Sequence, residues 1–154
     1  MRGVEARIAR HGSKLALAYA IEGRIEEIRV PPPGTPRFAE KLWQHTCCEL
    51  FVGRSGTPAY LEFNFSPSGE WAGYAFERYR NGAAFDAADP KIAVRVSAER
   101  LELDACVPVQ PGRLRLALSA VIEHADGRIS YWALRHPPGK PDFHHPDAFA
   151  LELD

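Results

Sequence analysis

The residues best suited to chemistry fall between Trp43 and Arg80 and return near the end of the chain. Glu49, Glu62 and Asn64 supply two carboxylates and an amide, groups that accept from and donate to hydroxyls. Trp43, Trp71 and Trp132 supply indole faces that can lie against the C–H face of a sugar ring. His45, His136, His144 and His145 add imidazoles, which bond hydroxyls or ligate metals. Together they define a candidate ligand-binding set: Trp43, His45, Glu49, Glu62, Asn64, Arg80, Trp132 and His144. The same residues also fit structural roles. Indoles fill cores, and a sheet-face glutamate can pair with Arg78 or Arg80.

No catalytic residue is assigned, and the chain reads as a non-enzyme. It has no G-x-S-x-G elbow and no Gly-rich phosphate loop opening a helix. The cysteines have no assigned base beside them. Two glutamates on neighbouring strands raise glycoside hydrolysis, which turns on a carboxyl separation of roughly 5–10 Å. No H-x-x-x-H pair lies on a helix and no C-x-x-C occurs, so no metal site is expected. The lone methionine is Met1, so a haem would need two histidines.

The elements that must hold these residues follow a period of two. Val4, Ala6 and Ile8 alternate with Glu5 and Arg7; Leu101, Leu103, Ala105 and Val107 alternate with Arg100, Glu102 and Asp104. Similar runs cover 14–21, 60–65, 92–97, 113–118 and 149–152. Each fits a strand with one face in a core. Cys47, Glu49 and Phe51 share one strand face; Tyr60, Glu62 and Asn64 share another; Tyr74, Phe76, Arg78 and Arg80 a third. Glu49, Glu62 and Arg78 would then form a cross-strand ladder.

Glu22-Gly23, His11-Gly12-Ser13 and Asp126-Gly127 read as hairpin turns. Residues 53–58 and 66–69 read as tight loops. Residues 38–43 fit either a helical turn or an extended segment. Ala83–Asp89 is the best helical candidate, ending at Pro90. The pattern predicts one domain over residues 1–154, an all-β antiparallel sandwich of about ten strands. A loop from Pro137 to Pro146 carries Asp142, His144 and His145, and loops this long are often functional.

Composition is that of an ordinary globular chain, 45% hydrophobic and 25% charged. A net charge of −1 gives no case for nucleic acid or an anionic membrane. No apolar run is long enough to span a bilayer, and residues 1–7 show no signal-peptide core. Three cysteines, two of them adjacent, argue for buried thiols over disulfides. The expected compartment is the cytoplasm.

The order of motifs resembles one family. Leu42–Val52 is similar to the W-x-x-D-x-x-E-v-F strand of carbohydrate-binding family 9-like and DOMON-like domains. Tyr60–Gly69 is similar to their Y-x-E-x-x-x-S-P-x-G strand and turn, and Trp71–Phe76, Tyr79-Arg80, Tyr131-Trp132 and Asp142–His145 follow at suitable spacing. His45 and Thr46 stand where such modules often carry an acidic residue. The resemblance implies a sandwich that binds a sugar or a haem through one sheet face and its edge loops. The expected function is a small-molecule, carbohydrate-type binding module without a cofactor. The alternatives are a haem-binding electron-transfer domain and a structural or protein-interaction domain.

Overall fold

A computed structural model describes all 154 residues. Eleven strands form two antiparallel sheets packed as a sandwich. The first sheet contains β1 (Gly3–His11), β2 (Lys14–Glu22), β7 (Ala93–Val96) and β8 (Arg100–Pro108), in the order β1-β2-β8-β7. The second contains β3 (Cys47–Arg54), β4 (Tyr60–Phe65), β5 (Trp71–Arg78), β6 (Asn81–Ala84), β9 (Leu114–Glu123), β10 (Ile129–Ala133) and β11 (Leu151–Leu153). Its order is β10-β9-β3-β4-β5-β6, and β11 pairs with β9. No helix is long and apolar enough to cross a membrane.

The alternation decides which residues meet. Leu15, Leu17, Tyr19 and Ile21 of β2 and Leu101, Leu103 and Val107 of β8 face inward. They meet Cys48, Leu50, Phe63, Phe65, Leu116 and Ile122 of the second sheet. Each such side chain taken from water contributes roughly 1.5–3 kcal/mol. Tyr19 also bridges the sheets: its hydroxyl donates to the Glu49 carbonyl at 2.7 Å. A buried phenol needs such a partner, and this one pins the middle of β3.

Several local expectations are corrected. Ala83–Asp89 is not helical; β6 runs to Ala84, and a tight turn follows in which the Ala87 N–H donates to the Phe85 carbonyl at 2.9 Å. Phe85 and Ala87 turn inward two residues apart, a strand period, and press against Gly73, where any Cβ would lie 2.8 Å from that of Ala87. Glu22-Gly23 is not a hairpin turn. There the chain leaves the first sheet through a single 3-10 turn at Ile25–Glu27, and Ile28 bridges to His124. Residues 38–43 divide between both options: Phe38 bridges to Trp71, and Leu42–Gln44 forms one 3-10 turn. Arg78 does not join Glu49 and Glu62 in a charged ladder: the β5–β6 register shifts between Phe76 and Arg78, which pairs with Asn81 and stays exposed. The last strand starts at Leu151, so Phe149 lies outside it.

The Gly12-Ser13 and Asp126-Gly127 turns do close the β1–β2 and β9–β10 hairpins. Gly12 and Gly127 sit at φ 61° and 89°, where a side chain would be strained. All three cysteines are free thiols; Cys47 and Cys48 are buried on opposite faces of β3.

Candidate functional site

The outer face of the second sheet is where its polar residues gather. Glu49 occupies its centre, with Asn64 of β4 opposite on one side and Ser119 of β9 opposite on the other. Glu62 lies one step along, between Phe51 of β3 and Tyr74 of β5. Glu49, Glu62 and Asn64 are 3%, 5% and 0% exposed, unusual for such polar groups on an outward face.

They are buried because the segment after β10 folds back over the sheet. Phe143 and Phe149 pack on Phe51 and Tyr60, and the His144 ring stands edge-on to Phe51 at 5.0 Å and to Phe76 at 5.1 Å. Tyr60 and Phe76 stack at 4.8 Å beneath it. The fold-back is tied down by Asp142. It pairs with Arg80 Nη2 at 2.8 Å, accepts from the Tyr79 hydroxyl and accepts from the His144 backbone N–H at 3.1 Å. Arg80 turns the chain at φ 54°.

Half of the outer face stays open as a cleft of about 410 Å³, within the range of small-molecule sites. Glu49, Glu62, Tyr74 and Val121 form its floor; Trp43, Tyr131, Phe143, His144 and Arg80 form its walls. Trp43 is 47% exposed and Tyr131 46%. The 3-10 turn at Leu42–Gln44 presents Trp43, and the Lys41 backbone N–H donates to the Tyr74 hydroxyl at 3.3 Å. Two larger depressions lie elsewhere. One of about 630 Å³, at Arg10, Pro111 and Asp154, has a single apolar lining residue. One of about 590 Å³ opens between the sheets beside Leu61, Phe63 and Phe85. Neither contains a buried carboxylate or amide.

Proton positions in the cleft follow from partners. The Tyr60 oxygen accepts the Arg80 backbone N–H at 3.1 Å and shares a 2.8 Å hydrogen bond with His144 Nδ1, while His144 Nε2 faces Glu62 Oε1 at 3.3 Å. Burial, then the Arg80 charge, lowers His144 to about 4, so the ring is neutral. Burial raises Glu62 to about 7, against the pull of Glu49, Asn64 and Arg80. Burial, then the Glu62 charge, pushes Glu49 well above the usual carboxylate range. Both carboxyls line the cleft on one sheet face, diagonal neighbours across the β3–β4 register. For Asp142 the bonds from Tyr79 and Arg80 overcome burial and hold the carboxyl low.

Asn64 and Ser119, beside Glu49, are left with unpartnered polar atoms: Nδ2 and Oδ1 of the amide and Oγ of the serine. Buried groups of this kind are rare and point to a missing partner.

Of the eight candidates, the structure brings Trp43, Glu49, Glu62, Arg80 and His144 together around the cleft, with Asn64 beside its floor. It does not bring His45 or Trp132 there. His45 is exposed before β3 and bonds Glu123 Oε1 at 3.1 Å. Trp132 lies on the inner face, opposite Ala120, and its Nε1 donates to Ser130. Sequence reasoning left out Tyr131, Ser119 and Phe143. The Tyr131-Trp132 step shows that the two residues face opposite ways, but β10 has no alternation to say which faces in. His144 spends both ring nitrogens on Tyr60 and Glu62. No group of three or more His, Cys, Asp or Glu side chains is placed to hold a metal ion.

The fold and site together define a β-sandwich with one polar-floored, aromatic-walled cleft on an outer sheet face. The sandwich is similar to a crystal structure from Bacteroides uniformis described as a "putative carbohydrate-binding protein". The TM-score is 0.67 at 17% identity, over 94% of this chain and 75% of that one. No family model matches the chain, and no curated protein matches its sequence.

Proposed function

We propose that this protein is a non-catalytic binding module for a small carbohydrate-type ligand, held in the cleft between Trp43 and His144. The observation that carries the reading is the pairing of half-exposed aromatic walls with a dry polar floor. A sugar ring presents both kinds of surface: C–H faces for Trp43 and Tyr131, and hydroxyls for Glu49, Glu62, Arg80 and the unpartnered Asn64 and Ser119. The Bacteroides uniformis structure lends support through its printed description. The family 9-like or DOMON-like assignment belongs to the same proposal, as does a cytoplasmic setting.

The test is calorimetric titration against a broad panel of mono- and oligosaccharides. Binding is expected, and Trp43→Ala should weaken it by about tenfold or more while shifting stability by no more than about 0.5 kcal/mol, as for other surface positions. Silence across the panel would sink the proposal.

A further inference from the structure

The floor of the cleft is short of positive charge. Among the residues that line it, Arg80 alone is cationic, and its guanidinium is engaged by Asp142 at 2.8 Å. Glu49 makes no ion pair; Cys47 Sγ lies 4.0 Å from its Oε1. Glu62 meets the Nε2 of a neutral imidazole. Two buried carboxyls at diagonal positions of one sheet face are favoured when a proton or an outside cation sits between them.

The surroundings favour an outside cation. Trp43, Tyr74 and Tyr131 border the pair, and aromatic faces attract ammonium groups. Beside Glu49, Asn64 and Ser119 are more than nine-tenths buried and keep free acceptor oxygens. A primary ammonium has three N–H donors. Glu49, Glu62 and either of those oxygens would take all three.

We propose that the cleft selects an amino sugar, whose ammonium group is held by Glu49 and Glu62. This rests on the carbohydrate-type reading above and names the group the ligand carries. No covalent bond changes. The carboxyl proton passes to solvent, and the ammonium takes its place. The other titratable groups facing the pair are Cys47 on β3, Tyr60 on β4, Tyr74 on β5, Arg80 in the β5–β6 turn, Tyr131 on β10, and Asp142 and His144 in the fold-back segment.

The experiment titrates glucosamine, glucose and N-acetylglucosamine into the unaltered protein, in two buffers of different ionisation heat, between about pH 5.5 and 7.5, where the amine stays mostly charged. Glucosamine should bind about tenfold tighter than the two neutral sugars, release protons on binding at the acid end, and gain affinity as pH rises. Glu62→Gln should remove that preference, with the thermal melt confirming a folded protein. Equal affinity for all three sugars, or a preference that survives Glu62→Gln, overturns the inference and leaves the binding module standing. Binding of none of them, alongside binding of other sugars, also overturns the inference alone. Binding of no sugar at all overturns both.

Discussion

Asn64 shows how a single residue can oppose stability. It is fully buried, and neither side-chain polar atom makes a well-formed hydrogen bond, although the amide lies close enough to Glu62 to favour that carboxyl's charged form. Leaving such a group unpaired costs roughly 1–3 kcal/mol, whereas an apolar group of the same shape avoids the cost. Asn64→Leu is therefore expected to raise stability by about 1 kcal/mol in urea unfolding and to weaken ligand binding. A loss of stability would mean that the amide has a structural partner after all. The carboxyl pair and His144 give a second residue-scale prediction. Glu62 rises from 4.5 to about 7 on folding, and Glu49 rises too, so the native state holds protons that the unfolded state has lost. Their contribution is present below about pH 4.5 and is lost as pH rises through 7, roughly 3 kcal/mol for Glu62 alone. His144 runs the other way: lowered from 6.5 to about 4, its contribution is present above 6.5 and is lost as pH falls through 4. Because Glu49 and Glu62 together outweigh His144, stability should fall from about pH 4.5 to 7, and Glu62→Gln should flatten that limb. His144→Asn should steepen the fall between about pH 4.5 and 6.5. Denaturant unfolding at four pH values checks both variants. That Glu49 and Glu62 share a face was legible from alternation alone. That they are diagonal neighbours lining one cleft was not, because it depends on the β3–β4 register.

At the scale of elements, strands were legible and their ends were not. Every strongly alternating run became a strand, since a two-residue period suits only an extended chain with one face buried. Residues 83–89 misled because alanine favours helix. The pull of Phe85 and Ala87 into the core outweighed that propensity. The fold-back segment between β10 and β11 was legible as a loop, but not as a cover, because its packing partners lie on β3, β4 and β5. Its clamp is testable. Asp142→Ala breaks the contacts to Tyr79 and Arg80, which sit half in solvent, so global stability should change by less than about 1 kcal/mol. Hydrogen exchange at residues 141–145 should quicken, and ligand release should quicken with it. Unchanged exchange there would show that Phe143 and Phe149 hold the segment alone.

For the whole molecule, the wider second sheet matters most. Four strands face seven, so part of the larger sheet's inner surface is closed by the segment through Phe85 and Ala87 instead of by a strand. The sandwich stands without cross-links. Burial pushes Cys48 upward, along with Cys47, while Cys106 is half-buried on the first sheet. A thiol reagent should therefore modify Cys106 alone in the native protein and all three cysteines after unfolding. Rapid native modification of Cys47 would mean that the cleft opens to its floor. Sandwich architecture was legible because it depends on many weak signals that agree. The cleft depends on where one segment lands, and no local signal carries that.

β10 and β11 lie along the same edge of β9, ending opposite Ser119 and starting opposite Leu116. Those two positions are three residues apart, about 10 Å of strand. The segment that walls the cleft therefore departs from and returns to nearly the same point, as a cartridge does in its socket. Replacing residues 135–149 with a segment of different length or chemistry would re-specify the ligand while leaving both sheets unaltered. One scaffold could then furnish receptors for unrelated small molecules, each differing only in the insert it carries.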